Sequence, residues 1–485
     1  MVRSVILFPC LAALGLAGAG SLWLGQGPPA VPVQPFRSRV VEVLGPDRVK
    51  METGTVVRLQ GLGLPDPLVR PPSMALELRD ALSRKTLWKE FQVTPEPDPG
   101  LEAGPEAVGT LLLAERLNLN GAAVTANEEL LAEGVATLSC RTRTVHRLDQ
   151  LLAASRQAKE NKRGWFGRTP VSCLTPVPPQ RGCVLGLYYR EEKYDYHQHL
   201  DELKQLGTTW VSLLLSCFVD KVDSVVVRRD HERTVTDARL IETIRYARAK
   251  GFRLMVIPIV LILDADPADW RGTLRPANYE KFWRSYDEFI CHYADICQSE
   301  GVEVFSVGSE YCSLERDPDF TPAWTRIIHN VRGHYAGWVT YSANWDHVHV
   351  PRFWHLLDFA GMTAYFSVTQ KTDPTMAELV EGWTQKREQI ARDLKSIGKP
   401  YLFTEIGYPA IDGANKDPWD YVSNKSKLDL KEQYDATQAF VQVWKSAPDF
   451  LGAYLFDFFE PGGMEDSSYS PRGKPVLELW REWVR

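Results

Sequence analysis

Residues 302–310 read Val-Glu-Val-Phe-Ser-Val-Gly-Ser-Glu, a short and mostly apolar run that ends in a glycine, a serine and a glutamate. Its length and its β-branched and aromatic residues are typical of a buried strand. Similar runs recur through the second half of the chain, and amphipathic helical patterns fill most of the gaps between them. Strands that are apolar on both faces and alternate with helices predict an α/β fold with a parallel sheet.

Eight strands are predicted, at Val184–Tyr188, Trp210–Leu215, Arg253–Ile257, Val302–Val307, Val339–Ser342, Asp358–Tyr365, Tyr401–Glu405 and Ala453–Phe458. With helices such as Ala238–Lys250 between them, they predict a (β/α)8 TIM barrel over residues 183–485. A doubly wound open sheet is the competing fold. It would carry a glycine-rich phosphate loop after its first strand, where residues 188–191 read Tyr-Tyr-Arg-Glu.

The composition excludes several classes of protein. The chain has 485 residues, of which 44% are hydrophobic and 24% are charged, so it is neither disordered nor a multi-span membrane protein. Its formal net charge of −6 provides no global attraction to nucleic acid. The cysteines show no CxxC pair and no spacing with histidine that would predict a zinc site. We therefore expect neither a metal nor a cofactor.

The start of the chain indicates export. Arg3 precedes an apolar run from Val5 to Leu24, and small residues near Ala19 provide a cleavage site. The run is also about as long as the ~20 residues that span a bilayer. Residues 1–24 are therefore predicted to be either a signal peptide or a membrane anchor, which places the protein outside the cytoplasm as a secreted, periplasmic or anchored protein. Four prolines make residues 25–36 an extended tether.

A further domain is predicted before the barrel. Residues 37–169 combine short strands with two or three helices, a pattern that favours a small β-barrel of OB type. A proline-rich stretch at residues 170–182 marks the linker to the second domain.

Two glutamates end strands of the predicted TIM barrel. Glu310 follows the fourth strand and Glu405 ends the seventh, and the reacting groups of such barrels lie at these carboxyl ends. The fourth and seventh strands lie across the barrel from each other, so we expect the two carboxylates to face each other over a cleft. Two opposed carboxylates, one protonated and one ionised, are what the cleavage of a glycosidic bond requires. A single glutamate after a strand is more often half of a salt bridge than a catalytic group.

Aromatic side chains near the same strand ends would stack on sugar rings. The candidates are Trp270, Trp345, Trp354, Tyr365, Tyr408, Trp419, Phe456 and Phe458. In contrast, four tryptophans fall on helical patterns and are interpreted as packing residues: Trp283, Trp324, Trp444 and Trp480.

Residues 183–485 resemble the clan A glycoside hydrolases, and most closely the β-mannanase-like family 113. The resemblance is carried by Trp270-Arg271-Gly272, Phe305–Glu310, Thr340–Trp345, Gly361–Phe366, Phe403–Tyr408 and Arg472–Pro475. It implies Glu310 as the acid/base, Glu405 as the nucleophile of a retaining double displacement, and Tyr365 as the partner that holds the nucleophile ionised. The expected substrate-binding residues are Trp270, Arg271, Ser309, Asn344, Trp345, Tyr365 and Tyr408.

At three places the chain differs from the residues of that family, and these differences affect the prediction of which sugar it binds. Ser309 stands where clan A enzymes often carry an asparagine, and residues 257–259 read Ile-Pro-Ile where related mannanases have Lys-Pro-His. Phe456 and Phe458 occupy the final strand, where a tryptophan platform is common. A β-mannan-type polysaccharide is therefore expected from the resemblance alone. A non-catalytic carbohydrate-binding or envelope-tethered barrel is the alternative that these departures favour.

Residues 37–169 resemble the staphylococcal-nuclease-like OB fold through Val57–Leu62, Pro65-Asp66, Asn127–Ala136 and Gly164–Gly167. Arg58 matches one phosphate-binding arginine of that family. Gly63 replaces a calcium ligand, Thr110 replaces the second arginine, and Asp66 occupies the position of the general base. We therefore expect no nuclease activity, and a nuclease is the third and weakest functional hypothesis.

The segment 141–168 carries eight basic residues and two acidic ones. It is a candidate surface for an anionic polymer or a lipid head group, although a solvated helix face is the more ordinary interpretation.

Overall fold

The structure is a computed structural model that describes residues 34–95, 106–113, 123–140, 145–167, 176–189, 194–420, 426–459 and 462–484. The predicted leader, residues 1–24, lies outside these ranges, so export and anchoring stay predictions. Within the ranges above, no helix is both long enough and apolar enough to cross a bilayer.

The first domain contains a closed five-stranded barrel. Its elements are β1 (Phe36–Val43), β2 (Arg48–Met51), β3 (Val56–Leu59), β4 (Gly61–Gly63), α1 (Met74–Thr86), β5 (Glu90–Pro95), β6 (Glu106–Leu113), α2 (Ala126–Ala132), β7 (Thr137–Ser139) and α3 (Leu148–Glu160). The barrel closes in the order β1-β2-β3-β6-β5, with β3 and β6 parallel and the other neighbours antiparallel. The domain limits and the assignment to the OB class stay predictions.

A buried asparagine ties α2 to this barrel. Asn127 is fully buried, its Nδ2 donates to the carbonyl of Gln60 at 2.7 Å, and its Oδ1 accepts from the Leu111 amide at 3.0 Å. The helix begins with a capping box, in which Thr125 and Glu128 exchange side-chain and backbone hydrogen bonds. The sequence Thr-Ala-Asn-Glu therefore both starts α2 and docks it.

The second domain is a (β/α)8 barrel, as predicted. Its elements are β8 (Gln180–Leu187), α4 (Tyr196–Gln205), β9 (Trp210–Val219), α5 (Asp237–Ala249), β10 (Arg253–Ile262), α6 (Tyr279–Glu300), β11 (Val304–Ser309), α7 (Cys312–Arg316), α8 (Thr321–His334), β12 (Trp338–Asn344), β13 (Ala360–Thr363), α9 (Met376–Leu394), β14 (Tyr401–Ile406), α10 (Leu430–Trp444), β15 (Phe450–Leu455) and α11 (Val476–Val484). The eight parallel strands close in chain order, which excludes the doubly wound sheet.

The barrel strands are buried on both faces. All ten residues of β9 are buried, because one face points into the barrel and the other packs under the helices. Closure between the last and first strands requires a glycine: a Cβ on Gly452, whose φ is +131°, would lie 1.8 Å from the Gln180 carbonyl oxygen. The four helical tryptophans interpreted as packing residues are 1–3% exposed and lie in the main core.

The first domain packs against α6 and α8 of the TIM barrel. Asp66 donates its backbone amide to Asp295 at 2.7 Å and accepts from His292 Nδ1 at 2.8 Å. Asn330 Oδ1 accepts from the Cys140 amide at 2.6 Å, and Asn330 Nδ2 donates to the Cys140 carbonyl at 3.0 Å. The residue at the predicted nuclease base position is thus held in the contact between the domains.

We expect Asp66→Ala to lower the stability of the protein by about 1–2 kcal/mol, because it leaves His292 with one fewer partner in a largely buried contact. Burial alone would lower the pKa of His292, but its hydrogen bonds to Asp237 and Asp66 raise it above the ordinary value. The stability that the contact between Asp66 and protonated His292 provides is therefore complete below pH ~6.5, and it is lost as the pH rises through the raised pKa of His292.

Urea unfolding of Asp66→Ala at several pH values measures this loss. Asp80→Ala, which removes an exposed carboxylate from α1, serves as the control and should match the parent. A loss that does not shrink at alkaline pH would contradict the assigned contact.

Candidate active site

The two glutamates end strands on opposite sides of the barrel and line one cleft. Glu310 follows β11 directly, and Glu405 is the fifth residue of β14, so the carboxyl ends of the fourth and seventh strands supply one carboxylate each. Both side chains are almost completely buried, at 5% and 3% exposure. The cleft between them has a volume of about 750 Å³, which is within the range of sites that hold small ligands.

Glu310 is held in an unusual backbone conformation. Its φ is +59°, in the left-handed region that a side chain with a Cβ rarely adopts. The Glu310 amide donates to the carbonyl of Ser342 at 2.8 Å, which fixes the turn where β11 ends. Its carboxylate accepts from Thr363 Oγ1 at 2.5 Å and from Arg271 Nη2. This strained turn and its two donors aim the carboxylate into the cleft.

Glu405 has one hydrogen-bonded oxygen and one without a partner. Tyr365 donates its hydroxyl to Oε2 at 2.9 Å, whereas the buried Oε1 has no partner among the described residues. Burial and the negative charge of Glu310 raise the pKa of Glu405 to about 7. Arg271 and the Tyr365 hydroxyl act in the opposite direction but do not outweigh them.

The Tyr365 contact is therefore present and acts in the predicted direction, since it lowers the pKa of Glu405, but burial and the charge of Glu310 outweigh it. That Tyr365 keeps Glu405 ionised stays a prediction. One hydrogen bond does not by itself keep a buried carboxylate ionised next to a second carboxylate. Burial and the second carboxylate therefore favour a proton on the pair at a higher pH than for a solvated carboxyl group.

Aromatic side chains surround the carboxylates. Trp345 and Trp419 stack with ring centroids 5.1 Å apart and planes inclined by 17°. The complete lining is Tyr188, Leu214, Ile259, Leu261, Pro267, Ala268, Asp269, Trp270, Arg271, Glu310, Asn344, Trp345, Tyr365, Glu405, Trp419, Phe456 and Tyr469. Trp270 and Trp419 keep 39% and 42% of their surface exposed, so their faces are available to a ligand.

Seven of the nine expected site residues line this cleft, and two do not. Ser309 is completely buried in β11, behind Glu310. Tyr408 is 2% exposed and packs in the main core, because the chain after β14 turns this side chain toward the helices. Of the other aromatic candidates, Trp354 and Phe458 are also core residues.

The sequence reading missed residues that contact or flank the carboxylates. Thr363 ends β13 and donates to Glu310, and it would have been found if every strand end had been examined for polar groups. Tyr188 directly follows β8 and lines the cleft. In the sequence it served only to exclude a glycine-rich phosphate loop after the first strand. Asp269 and Tyr469 lie in loops, where the sequence carries no periodic signal.

Three carboxylates outside the cleft approach one another, at Asp412, Asp429 and Glu432. Both Glu432 oxygens accept backbone amides, from Gly413 at 2.7 Å and Asn415 at 2.9 Å, while Asp429 caps α10. These bonds clamp the loop after β14, which carries Trp419. The expectation that the protein needs no metal stays a prediction.

The sequence profile of Glycoside Hydrolase Family 113 matches residues 186–470. The chain belongs to Glycoside Hydrolase Family 113. Two solved structures of that family share its barrel. A GH113 β-1,4-mannanase is 22% identical with a TM-score of 0.56, and the match covers 64% of this chain and 99% of that one. The GH113 β-mannanase AaManA from Alicyclobacillus acidocaldarius is 24% identical with a TM-score of 0.56, over 64% and 97%.

None of the curated proteins compared with the chain matches it. Family membership nevertheless makes the protein a glycoside hydrolase, which acts on a polysaccharide or an oligosaccharide. The non-catalytic alternative loses its support accordingly. Nothing in the family or in these neighbours supports an anionic polymer, lipid or membrane partner, and those calls stay predictions.

We expect Tyr365→Phe to move the alkaline limb of the activity profile to higher pH. The Tyr365 hydroxyl stabilises the ionised form of Glu405, so its removal raises a pKa that already lies at about 7. Activity at the optimum should fall roughly tenfold or more, because the carboxylate loses the bond that orients it. Measurement of kcat/KM between pH 4 and 9 tests both effects.

Tyr408→Phe is the matched control. It removes a buried hydroxyl outside the cleft and should leave the pH profile unchanged. An unshifted limb in Tyr365→Phe would contradict the assigned hydrogen bond.

Proposed function

We propose that the protein is a retaining glycoside hydrolase that cleaves β-mannan-type polysaccharide by double displacement at Glu310 and Glu405. The observation that carries the proposal is the burial of these two carboxylates in one cleft, at the carboxyl ends of the fourth and seventh barrel strands. Each carboxylate has its own donors, so the two can differ in role.

In the first step, Glu405 Oε1 attacks the anomeric carbon of the bound sugar. This oxygen has no hydrogen-bond partner in the part of the chain that the structure describes, whereas Oε2 is held by Tyr365. Glu310 transfers its proton to the glycosidic oxygen as the bond between that oxygen and the anomeric carbon breaks. The leaving sugar departs as an alcohol, and a covalent glycosyl ester remains on Glu405.

In the second step, Glu310 takes a proton from water, and the water oxygen attacks the anomeric carbon. The ester bond breaks and Glu405 regains its negative charge. Two inversions at one carbon give retained stereochemistry.

The active form carries one proton on the carboxylate pair. Because the two groups interact strongly, this proton belongs to the pair, and only the arrangement with the proton on Glu310 reacts. The Tyr365 hydroxyl favours that arrangement, because it donates to Glu405 and stabilises its ionised form. Arg271 contacts Glu310 directly and stabilises negative charge on both members of the pair. Loss of the shared proton near pH 7 ends activity on the alkaline side.

A β-mannan-type substrate is supported by the fold shared with two β-mannanases and by the form of the cleft. Indole faces at Trp270 and Trp345 suit the flat C–H faces of sugar rings. Ile259 and Leu261 add an apolar wall, so recognition of hydroxyl groups must come from polar residues such as Asn344 and Asp269.

Replacement of each glutamate by alanine tests the two roles. With β-mannan, Glu310→Ala and Glu405→Ala should each lose at least about a hundredfold in kcat/KM. With an activated aryl glycoside and azide, Glu310→Ala should release a glycosyl azide of retained configuration, because Glu405 still attacks first. Glu405→Ala should release the inverted azide, because azide takes the place of the carboxylate.

NMR of the azide products distinguishes the two configurations. Glu388→Ala removes an exposed carboxylate from α9 and should retain full activity. Identical stereochemistry from both variants would overturn the assigned roles, and turnover of mannan by Glu405→Ala at the parent rate would overturn the proposal.

The stacked pair Trp345–Trp419 predicts a subsite for a sugar beyond the bond that is cleaved. We expect Trp419→Ala to raise KM roughly tenfold for long manno-oligosaccharides, because about 1–2 kcal/mol of ring stacking is lost. The effect on short substrates should be small, since they do not reach the pair. Kinetics against oligosaccharides of increasing length provide the measurement, with Trp88→Ala in the first domain as the control. Equal losses at every length would contradict the subsite.

A further inference from the structure

A second cavity, of about 460 Å³, lies where the two domains meet. From the first domain, α3 and β7 contribute to its wall. The TIM barrel contributes three segments to the wall. The end of α8 precedes β12, residues 355–358 precede β13, and Lys399 precedes β14. These residues lie at the amino ends of the barrel strands, whereas the candidate active site lies at the carboxyl ends. The cavity shares no lining residue with the catalytic cleft.

The lining of this interdomain cavity carries an excess of positive charge. Its basic side chains are Arg156, Lys159, Arg332 and Lys399, with His329 and His355 beside them. Its carboxylates are Glu160 and Asp358. Asp358 is already bound, at 2.9 Å to Arg332 and at 2.7 Å to the Val339 amide. The remaining cations therefore face a space with little negative charge.

Burial and, to a smaller extent, the neighbouring cations both act on Lys159. Its ammonium donates to the carbonyls of Arg332 and Tyr335, which joins α3 to the end of α8. Burial, and then the nearby charges of Arg332 and Arg156, lower the pKa of Lys159 to about 7. The pKa of His329 is also lowered, by burial and by the charges of Arg332 and His355. The neighbouring cations thus repel one another, and an anion bound in the cavity would reduce this repulsion.

A buried hydroxyl adds a neutral donor to the wall. Ser155 lies on α3, lines the cavity and is 3% exposed, and its Oγ has no hydrogen-bond partner among the described residues. A buried hydroxyl without a partner costs free energy unless a ligand or a water satisfies it.

Contact between the domains accounts for Lys159, and Asp358 pairs with Arg332, but neither contact accounts for Arg156 or Lys399. Arg156 is exposed and forms no ion pair within the described ranges. Lys399 donates to the Leu357 carbonyl of its own domain. Neither residue joins the two domains, yet both face the same cavity from opposite sides.

We propose that this interdomain cavity binds an anion that carries phosphate groups, held by Arg156 and Lys159 from one domain and by Arg332 and Lys399 from the other. Guanidinium and ammonium groups donate charge-assisted hydrogen bonds to phosphate oxygens, and a ligand with more than one negative charge matches the excess of cations. The Ser155 hydroxyl supplies a further donor. The ligand spans the contact, so it stabilises the arrangement of the two domains. The proposal is independent of the glycosidase chemistry, because it uses no residue of the cleft.

Isothermal titration calorimetry of the full chain with pyrophosphate tests the site. Titrations with inorganic phosphate and sulfate show how affinity depends on the charge of the anion. We expect pyrophosphate to bind more tightly than phosphate. Arg156→Gln and Lys399→Gln should each weaken it by about three- to tenfold, since each removes one donor from a partly solvated site. Arg163→Gln is the matched control. It removes the same charge from the same basic segment but lies outside the cavity, and it should bind like the parent.

Vesicles distinguish the source of the phosphate. If pyrophosphate binds and phosphatidylglycerol vesicles do not, the ligand is a soluble anion. If the vesicles bind and pyrophosphate displaces them, the phosphate is that of a lipid head group. The absence of pyrophosphate binding at millimolar concentration would overturn the proposal, as would equal losses in Arg156→Gln, Lys399→Gln and Arg163→Gln. Hydrolysis of mannan by the variants should stay at the parent rate, so failure here and failure of the catalytic proposal are distinguishable.

Discussion

Two carboxylates buried in the same cleft cannot both carry a full negative charge without a large cost, and the chemistry of this protein depends on that constraint. Burial and the charge of Glu310 accordingly raise the pKa of Glu405 to about 7, so the two carboxylates share a proton as a pair. Among the residues that the structure describes, Arg271 is the one cation that contacts the pair directly, through Glu310, and Thr363 and Tyr365 each fix one carboxylate oxygen. The proposed double displacement needs one proton on the pair, and separate donors hold the two carboxylates in different surroundings.

Holding the carboxylates in this arrangement strains the backbone at Glu310. Glu310 adopts a left-handed backbone conformation, which costs on the order of 1–3 kcal/mol for a residue with a Cβ. The cost is offset by neighbouring bonds: the Glu310 amide is held by Ser342, and the next amide, of Tyr311, donates to the Tyr341 hydroxyl at 2.8 Å. The closed ring of eight strands keeps β11 and β14 at a fixed spacing, so the carboxylates do not relax apart.

The first domain contributes to the molecule through its contacts rather than through a recognisable catalytic set. Asp66, which stands at the base position of the resembled nuclease family, is engaged by His292 and Asp295 of the barrel. Its helix α3 lies against the end of α8 and supplies half of the basic wall of the interdomain cavity. The contact between the two domains runs along α6 and α8 on the outside of the barrel, and the interdomain cavity lies at its amino end.

The sequence by itself determined the eight barrel strands, because uninterrupted apolar runs separated by amphipathic helices are a local pattern that only a buried parallel sheet satisfies. It also located Glu310 and Glu405, since strand ends can be counted along the chain. The details around them depended on tertiary structure. Tyr408 follows its strand just as Tyr365 does, yet one packs in the core and the other meets Glu405. The direction of a side chain after a strand ends is set by the packing of the following loop, and no periodicity records it. The raised pKa of Glu405 and the cluster of cations around Lys159 likewise arise from burial and from charges brought together across long sequence separations, which a linear pattern does not contain.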